Sequence, residues 1–317
     1  MRTSKLIRLT ITLLVVLLFA TYFLLNTEKF KPLLHVNLPL LLAIGLTNIA
    51  VIYVNGLFMK SILIPFNKFI SSSEAFYISV ISSIGNFFAT AGTGFGIRAV
   101  YLKKKHGLPY SEFITTLSGN YVLVFLINSF IGLAALYLLR NHYNVQYLTL
   151  AVVFGLILIA SLALSLMKLP LKKDPREAGK GWLSRNFYRV VYGWSKITSD
   201  KKLMFRLIGL VSLNFLLAAF IYWAIIKSVH LDIGLPSLLL FTVLGSLAIF
   251  INITPANLGV KEAIYLFSSS VLGFSVSEIL LIVLVERGVQ FSILFVLWLF
   301  TTTTRTKDKL LKNGSEV

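Results

Sequence analysis

Two polar, glycine-containing stretches break segments that are otherwise apolar enough to sit in a membrane: Ala91-Gly92-Thr93-Gly94-Phe95-Gly96-Ile97-Arg98 and Ile253-Thr254-Pro255-Ala256-Asn257-Leu258-Gly259-Val260-Lys261-Glu262. Hydrocarbon cannot satisfy a bare N–H or C=O, so irregular backbone survives at membrane depth only where protein buries it or where it lines a wet cavity. Two such breaks in matching places point to a path for a polar substrate. The rest of the chain leaves little alternative to a membrane, since 57% of its residues are hydrophobic and 13% charged, against roughly 25% charged in soluble domains.

A hydrocarbon core of about 30 Å takes about 20 helical residues. Apolar runs of that order cover residues 6–25, 38–58, 113–139, 147–167, 207–226 and 277–300, with the broken segments at about 75–102 and 235–272 in addition. The first run follows Arg2, Lys5 and Arg8, as a secretory signal would. It is too long for a signal's apolar region and ends at Asn26-Thr27-Glu28 without a small-x-small cleavage site, so it reads as a retained span.

Position decides what the net charge of +18 means. Of the 30 Lys and Arg, 23 fall on one side of this span pattern, four on the other (Lys29, Lys31, Arg140, Lys227) and three in hydrophobic surroundings (Arg98, Lys261, Arg287). That asymmetry is the positive-inside pattern of a multi-pass cell-membrane protein with both termini cytoplasmic, and contact with anionic lipid, not nucleic acid, accounts for the surplus.

The same count fixes how the broken segments run. Lys60 and Lys68 belong to the cytoplasmic side, and so do Lys103 to Lys105, so the segment between them enters and returns, as a re-entrant hairpin or as two short crossings. The segment at 235–272 does the same from the opposite face. The expected fold is an all-α polytopic membrane protein with about six full spans plus two broken hairpins in an inverted-topology repeat, the plan that underlies alternating access in transporters. The first membrane repeat takes residues 1–167, a basic cytoplasmic linker 168–206, the rest of the second repeat 207–304 and a basic tail 305–317. Sequence echoes agree: Gly96-Ile97-Arg98 with Tyr101-Leu102 resembles Gly259-Val260-Lys261 with Tyr265-Leu266, and Asn48 and Asn214 each fall near mid-span before their hairpins. In the linker, Leu183, Phe187, Val190, Trp194 and Ile197 share one helical face, with Arg185, Arg189 and Lys196 elsewhere. A helix on the membrane surface and a helix packed on the protein's own cytoplasmic ends both fit that pattern.

Among ionisable residues, Arg287 lies about 15 Å into its span at 1.5 Å per residue, near the midplane. An unpaired cation there costs at least about 2.5–3.5 kcal/mol, so it needs a partner. Glu262 is the first choice, because a helix starting after the Pro255–Gly259 break descends to the same depth; Glu286 points elsewhere on its helix. Two roles fit: a pair locking the second hairpin to the last span, or an anion-binding charge tuned by Glu262. Arg98 lies only five residues from Lys103 and fits two roles as well, snorkelling to the head groups or facing an anion. If the return helix begins at Gly96, its N-terminal amides and Arg98 would line one small polar volume suited to a phosphate, with Gly94 and Gly96 letting backbone approach the ligand. Asn120 in the next span, with Asn257, Gly259 and Lys261 in the second hairpin, completes the candidate set.

Other chemistry is thin. There is no cysteine, and the four histidines, His35, His106, His142 and His230, have no acid or histidine at ligand spacing, so neither a disulfide nor a metal site is expected. No nucleophile, phosphate-loop or dinucleotide signature appears, so no cofactor is expected.

The second hairpin, Thr254-Pro255-Ala256-Asn257-Leu258-Gly259-Val260-Lys261-Glu262, with Arg287 in the last span, resembles the Pro-Gly-Gly-Leu-Gly-x-x-Glu signature and later arginine of the lysylphosphatidylglycerol synthase transmembrane, or flippase-like, family. The first hairpin with Arg98 is similar to that family's Gly-rich stretch and its downstream arginine. Ala256 and Asn257 stand where the family has glycines, and the first hairpin lacks the acid that members often carry. The resemblance implies that Pro255, Gly259, Glu262 and Arg287, with Arg98, act on a lipid. In the full-length synthases aminoacyl transfer belongs to a soluble domain, and this chain, which ends at Val317, resembles the lipid-translocating part. The expected function is non-enzymatic movement of an anionic phospholipid or lipid-linked glycan. The alternatives are a membrane subunit presenting a polyprenyl-linked substrate to a separate synthase or glycosyltransferase, and a small anionic solute carrier, with a membrane-embedded transferase last. A wholly enclosed cavity would favour the solute carrier, a groove open to lipid the flippase.

Overall fold

The computed structural model of the 317-residue chain describes residues 21, 24–25, 27–88, 92–140, 144–166, 182–248 and 254–313. The span expected at 6–25, the apex of the first hairpin and much of the basic linker lie largely outside the described residues. In chain order the elements are a 3-10 helix (Thr27–His35), α1 (Leu38–Ile62), α2 (Ser72–Phe88), α3 (Thr93–His106), α4 (Tyr110–Leu138), α5 (Val145–Leu166), α6 (Trp182–Ser199), α7 (Lys201–Ser228), α8 (Leu235–Ala248), α9 (Val260–Phe267), α10 (Ser269–Leu272) and α11 (Val276–Asn313).

The fold is all-α and membrane-grade. Five of the described helices are long and apolar enough to cross a bilayer: Leu38–Phe66, Tyr110–Leu138, Val145–Ser165, Lys201–Ser228 and Val276–Thr301. Their outer faces stay apolar, with Leu46 and Phe205 70% and 82% exposed, as helices facing hydrocarbon require. Start signals follow from local chemistry. Asn37 accepts the Leu40 N–H and Asp200 the Leu203 N–H, while Ser275 and Glu278 exchange backbone and side-chain bonds ahead of α11. Caps of this kind are worth about 1 kcal/mol each.

α1 and α7 form the antiparallel centre. The Asn37 N–H reaches the Ser228 carbonyl at 3.3 Å where α1 begins and α7 ends. Midway, Asn214 donates to Asn55 at 2.7 Å, so the mid-span asparagine that pairs across the halves is Asn55; Asn48 bonds within its own helix to the Ile44 carbonyl. Interhelical bonds of this type average about 0.6 kcal/mol in a bilayer.

This pairing gives the bundle a basic end, where Lys60, Lys68, Lys103 to Lys105 and Lys201 gather, and an opposite end. α2 and α3 form a hairpin whose two ends both lie at the basic end, held there by Lys60 on Ser72 and by Glu74 on Tyr101, Lys105 and His106. α8 with α9 and α10 forms a second hairpin from the opposite end, where Asn144, just before α5, donates to Ser270 at 3.1 Å. At 17 and 14 residues, α2 and α3 rise only about 26 and 21 Å, short of a full crossing. The turn Pro255–Asn257 of the second hairpin packs against α2 of the first, and Thr254 and Asn257 of this second break are buried by protein.

Of the two packings open to the linker helix, the described half of α6 takes the one on the protein itself. Trp194 and Ile197 are buried, the Trp194 indole N–H donates to the Leu164 carbonyl at 3.0 Å, and its ring lies on Gly119, where a Cβ would come within 2.8 Å. The side chains of 182–190 fall outside the described residues.

Candidate functional site

The second hairpin tip is built by left-handed backbone. Ala256 and Asn257 sit at φ of 50° and 58°, followed by Gly259 at 86°. Only the last is a glycine, and an alanine in this region costs roughly 1–2 kcal/mol. Compensation comes from side chains: Asn257 donates to the Ala248 carbonyl across the hairpin, and the Thr254 hydroxyl donates to the Leu258 carbonyl at 2.6 Å. Pro255 opens the 3-10 turn.

The turn aims its carbonyls at Arg287. Arg287 donates through Nη1 to the Ala256 carbonyl at 2.6 Å and through Nη2, more weakly, to the Asn257 carbonyl at 3.4 Å. Nε and Nη2 both reach Glu262 Oε1, at 3.1 and 2.6 Å. The other Glu262 oxygen accepts the Gly259 N–H at 2.8 Å and so caps α9. Glu262 and Arg287 meet as the sequence led one to expect, and four of the five N–H directions of a guanidinium are engaged. Arg287 thus clamps the tip, and its charge is already answered.

One turn face over stands a second pair that sequence reasoning missed. Glu286 does point away from Glu262, but toward Lys261, with which it forms an ion pair while also accepting from the Tyr222 hydroxyl at 3.2 Å. The Lys261 ammonium lies 5.2 Å from the centre of the Tyr222 ring and 5.9 Å from that of Tyr265. The available signal was the repeated spacing of opposite charges, 261 with 286 and 262 with 287. This second pair is less saturated: Glu286 Oε2 is buried without a partner among the described residues.

The first hairpin corrects the expected start of its return helix. α3 begins at Thr93, three residues before Gly96, behind Gly92 at φ 77°. Its amides already have partners, because the Gly94 N–H donates to the Asn86 side chain at 3.0 Å and the Gly96 N–H to the Gly92 carbonyl at 2.9 Å. Gly94 brings α2 and α3 together, since a Cβ would fall 2.1 Å from the Ser82 carbonyl oxygen, while Gly96 faces open space. Gly94 therefore builds the hairpin, and the Gly96 N–H, bonded to Gly92, forms no cradle.

Arg98 sits in the second turn of α3, in a crevice walled by Phe58, Met59 and Ile62 of α1 and by Phe113, Thr116, Leu117 and Asn120 of α4. Its Nε is buried without a partner, and no acid forms an ion pair with it among the described residues. The structure therefore brings Arg98 and Asn120 together in one place and Asn257, Gly259, Lys261, Glu262 and Arg287 in another. Among the described residues no three His, Asp or Glu side chains gather as a metal-binding cluster.

No curated protein and no solved structure matches the chain. The family described as the lysylphosphatidylglycerol synthase TM region matches residues 5–297, nearly the whole sequence and both hairpins. The chain is a membrane protein related to lipid handling, and it belongs to the lysylphosphatidylglycerol synthase transmembrane family.

Proposed function

We propose that this protein moves an anionic lipid, a phospholipid or a polyprenyl-phosphate-linked glycan, across the cell membrane without covalent chemistry. The head group passes the polar hairpins while the chain stays in hydrocarbon. Arg98 carries this reading, as a half-buried arginine whose Nε is buried without a partner among the described residues, in a crevice that also receives Asn120. A cation left unpaired among apolar walls is costly, and a lipid phosphate offsets that cost through charge-assisted bonds. Arg287, already bound to Glu262 and the tip carbonyls, contributes by fixing the shape of the second hairpin.

The lipid reading is supported over a soluble anion by the family, described as the lysylphosphatidylglycerol synthase TM region. Without a nucleotide site, movement is downhill or ion-coupled. The test is translocation of head-group-labelled phosphatidylglycerol in reconstituted vesicles. The wild-type protein should exceed protein-free vesicles, and folded Arg98→Gln should lose about tenfold or more, as loss of one charge-assisted bond implies. Equal rates for wild-type and protein-free vesicles would remove the transport reading and leave presentation of a polyprenyl-linked substrate to a separate enzyme.

A further inference from the structure

α1 shows a face that neither hairpin tip uses. Leu46, Ile49, Ala50 and Tyr53, at helical spacing, join Ser72, Ser73 and Phe76 of α2 to wall the open groove of about 540 Å³. The wall is apolar and turned outward, with Tyr53 43% exposed and its ring 6.1 Å from that of Phe76. Other faces of α1 are taken. Asn55 bonds α7, Gly56 lies against the Ala75 backbone, and Phe58, Met59 and Ile62 turn toward the Arg98 crevice.

At the basic end the groove meets a cation. The Lys60 ammonium donates to the Ser72 hydroxyl at 3.0 Å, and no acid pairs with it among the described residues. An ammonium has three donors, so Ser72 leaves two for a ligand. From Leu46 to Lys60 the helix rises about 21 Å, against about 15 Å for the hydrocarbon of one leaflet. The groove's own α1 wall, Leu46 to Tyr53, takes about 10 Å of that rise, and Lys60 stands about 10 Å beyond it, joined to the lining through Ser72, so an apolar wall leads toward a cation at the basic end.

We propose that this groove binds an anionic phospholipid from the leaflet at the basic end, one acyl chain lying along Leu46 to Tyr53 and the phosphate on Lys60 with the Ser72 and Ser73 hydroxyls. The site is separate from Arg98 and does not require that the protein transport anything.

The purified full chain in phosphatidylcholine nanodiscs, doped with phosphatidylglycerol carrying a diazirine on one chain, is irradiated and its crosslinks mapped by mass spectrometry. Crosslinks should concentrate on residues 46–53 and Phe76. They should fall about fivefold in Lys60→Ala, the effect of one basic residue near an anionic head group, and also in Ala50→Trp, which fills the groove; melting curves of both variants confirm folding. Labelling spread evenly around the bundle, equal labelling by a phosphatidylcholine diazirine, or no change in Lys60→Ala would overturn the proposal. So would a disulfide between Ala50→Cys and a cysteine placed in residues 6–25, which would give the groove to that segment of the chain. Because the readout is occupancy, inactive transport vesicles would leave this site standing, and loss of the crosslinks would leave the Arg98 reading standing.

Discussion

At the tip of the second hairpin, Ala256 holds a backbone that glycine adopts freely, at φ 50°. Ala256→Gly relieves that strain and adds freedom to the unfolded chain, and the balance should raise stability by about 0.5–1 kcal/mol. Thermal unfolding in detergent reads it. The neighbouring clamp makes the opposite prediction. Arg287→Ala strands Glu262 and two carbonyls and should cost about 3–5 kcal/mol, while adding Glu262→Gln should restore much of the loss. Simple addition of the single losses would show that the two side chains do not interact. The Glu262–Arg287 pair was legible because a cation at membrane depth demands an acid, and the helix after the Pro255–Gly259 break brings Glu262 to that depth while Glu286 points elsewhere on its helix. The Lys261–Glu286 pair was not, because it depends on the rotation of α9 against α11, which spacing within each helix does not fix.

Close approach governs the hairpins as elements. A methyl at Gly94 meets backbone of α2, and one at Gly245 meets the Tyr265 and Tyr222 hydroxyls at 2.3 and 2.4 Å. Gly94→Ala should therefore loosen the first hairpin by about 1–3 kcal/mol, as overpacking does. Glycine-rich sequence announced a sharp turn but not which glycine touches what, and so α3 was expected three residues late. At the mouth of this hairpin, burial pushes the Glu74 carboxyl up, yet the bonds from Lys105, His106 and Tyr101 outweigh it and hold it down to about 2. A depressed carboxyl stabilises the fold above its unfolded value of 4.5 and loses that contribution as pH falls from there toward about 2. Hydrogen exchange in α3 should rise across that window in the wild type and show no such step in Glu74→Gln; an identical step in both would detach Glu74 from the clasp.

For the whole molecule, the long spans and the opposite entry of the hairpins were readable because lipid dictates helix length and basic residues dictate sides. The packing of α6 was not, since a surface helix and a docked helix share one apolar stripe. Sidedness is open to a direct check in a chain without cysteine. Lys104→Cys and Lys227→Cys should be labelled from opposite faces by an impermeant reagent, and labelling from one face would contradict the inverted arrangement. The proposed function divides the two intramembrane arginines by role, with Arg98 to meet the head group and Arg287 to shape the hairpin. The most direct measurement compares folded Arg98→Gln with the charge-compensated Arg287→Ala, Glu262→Gln double variant in one phosphatidylglycerol translocation assay. The double variant should retain much of the wild-type rate while Arg98→Gln falls about tenfold or more. A fully active Arg98→Gln beside an inactive double variant would contradict it and give the head group to Arg287.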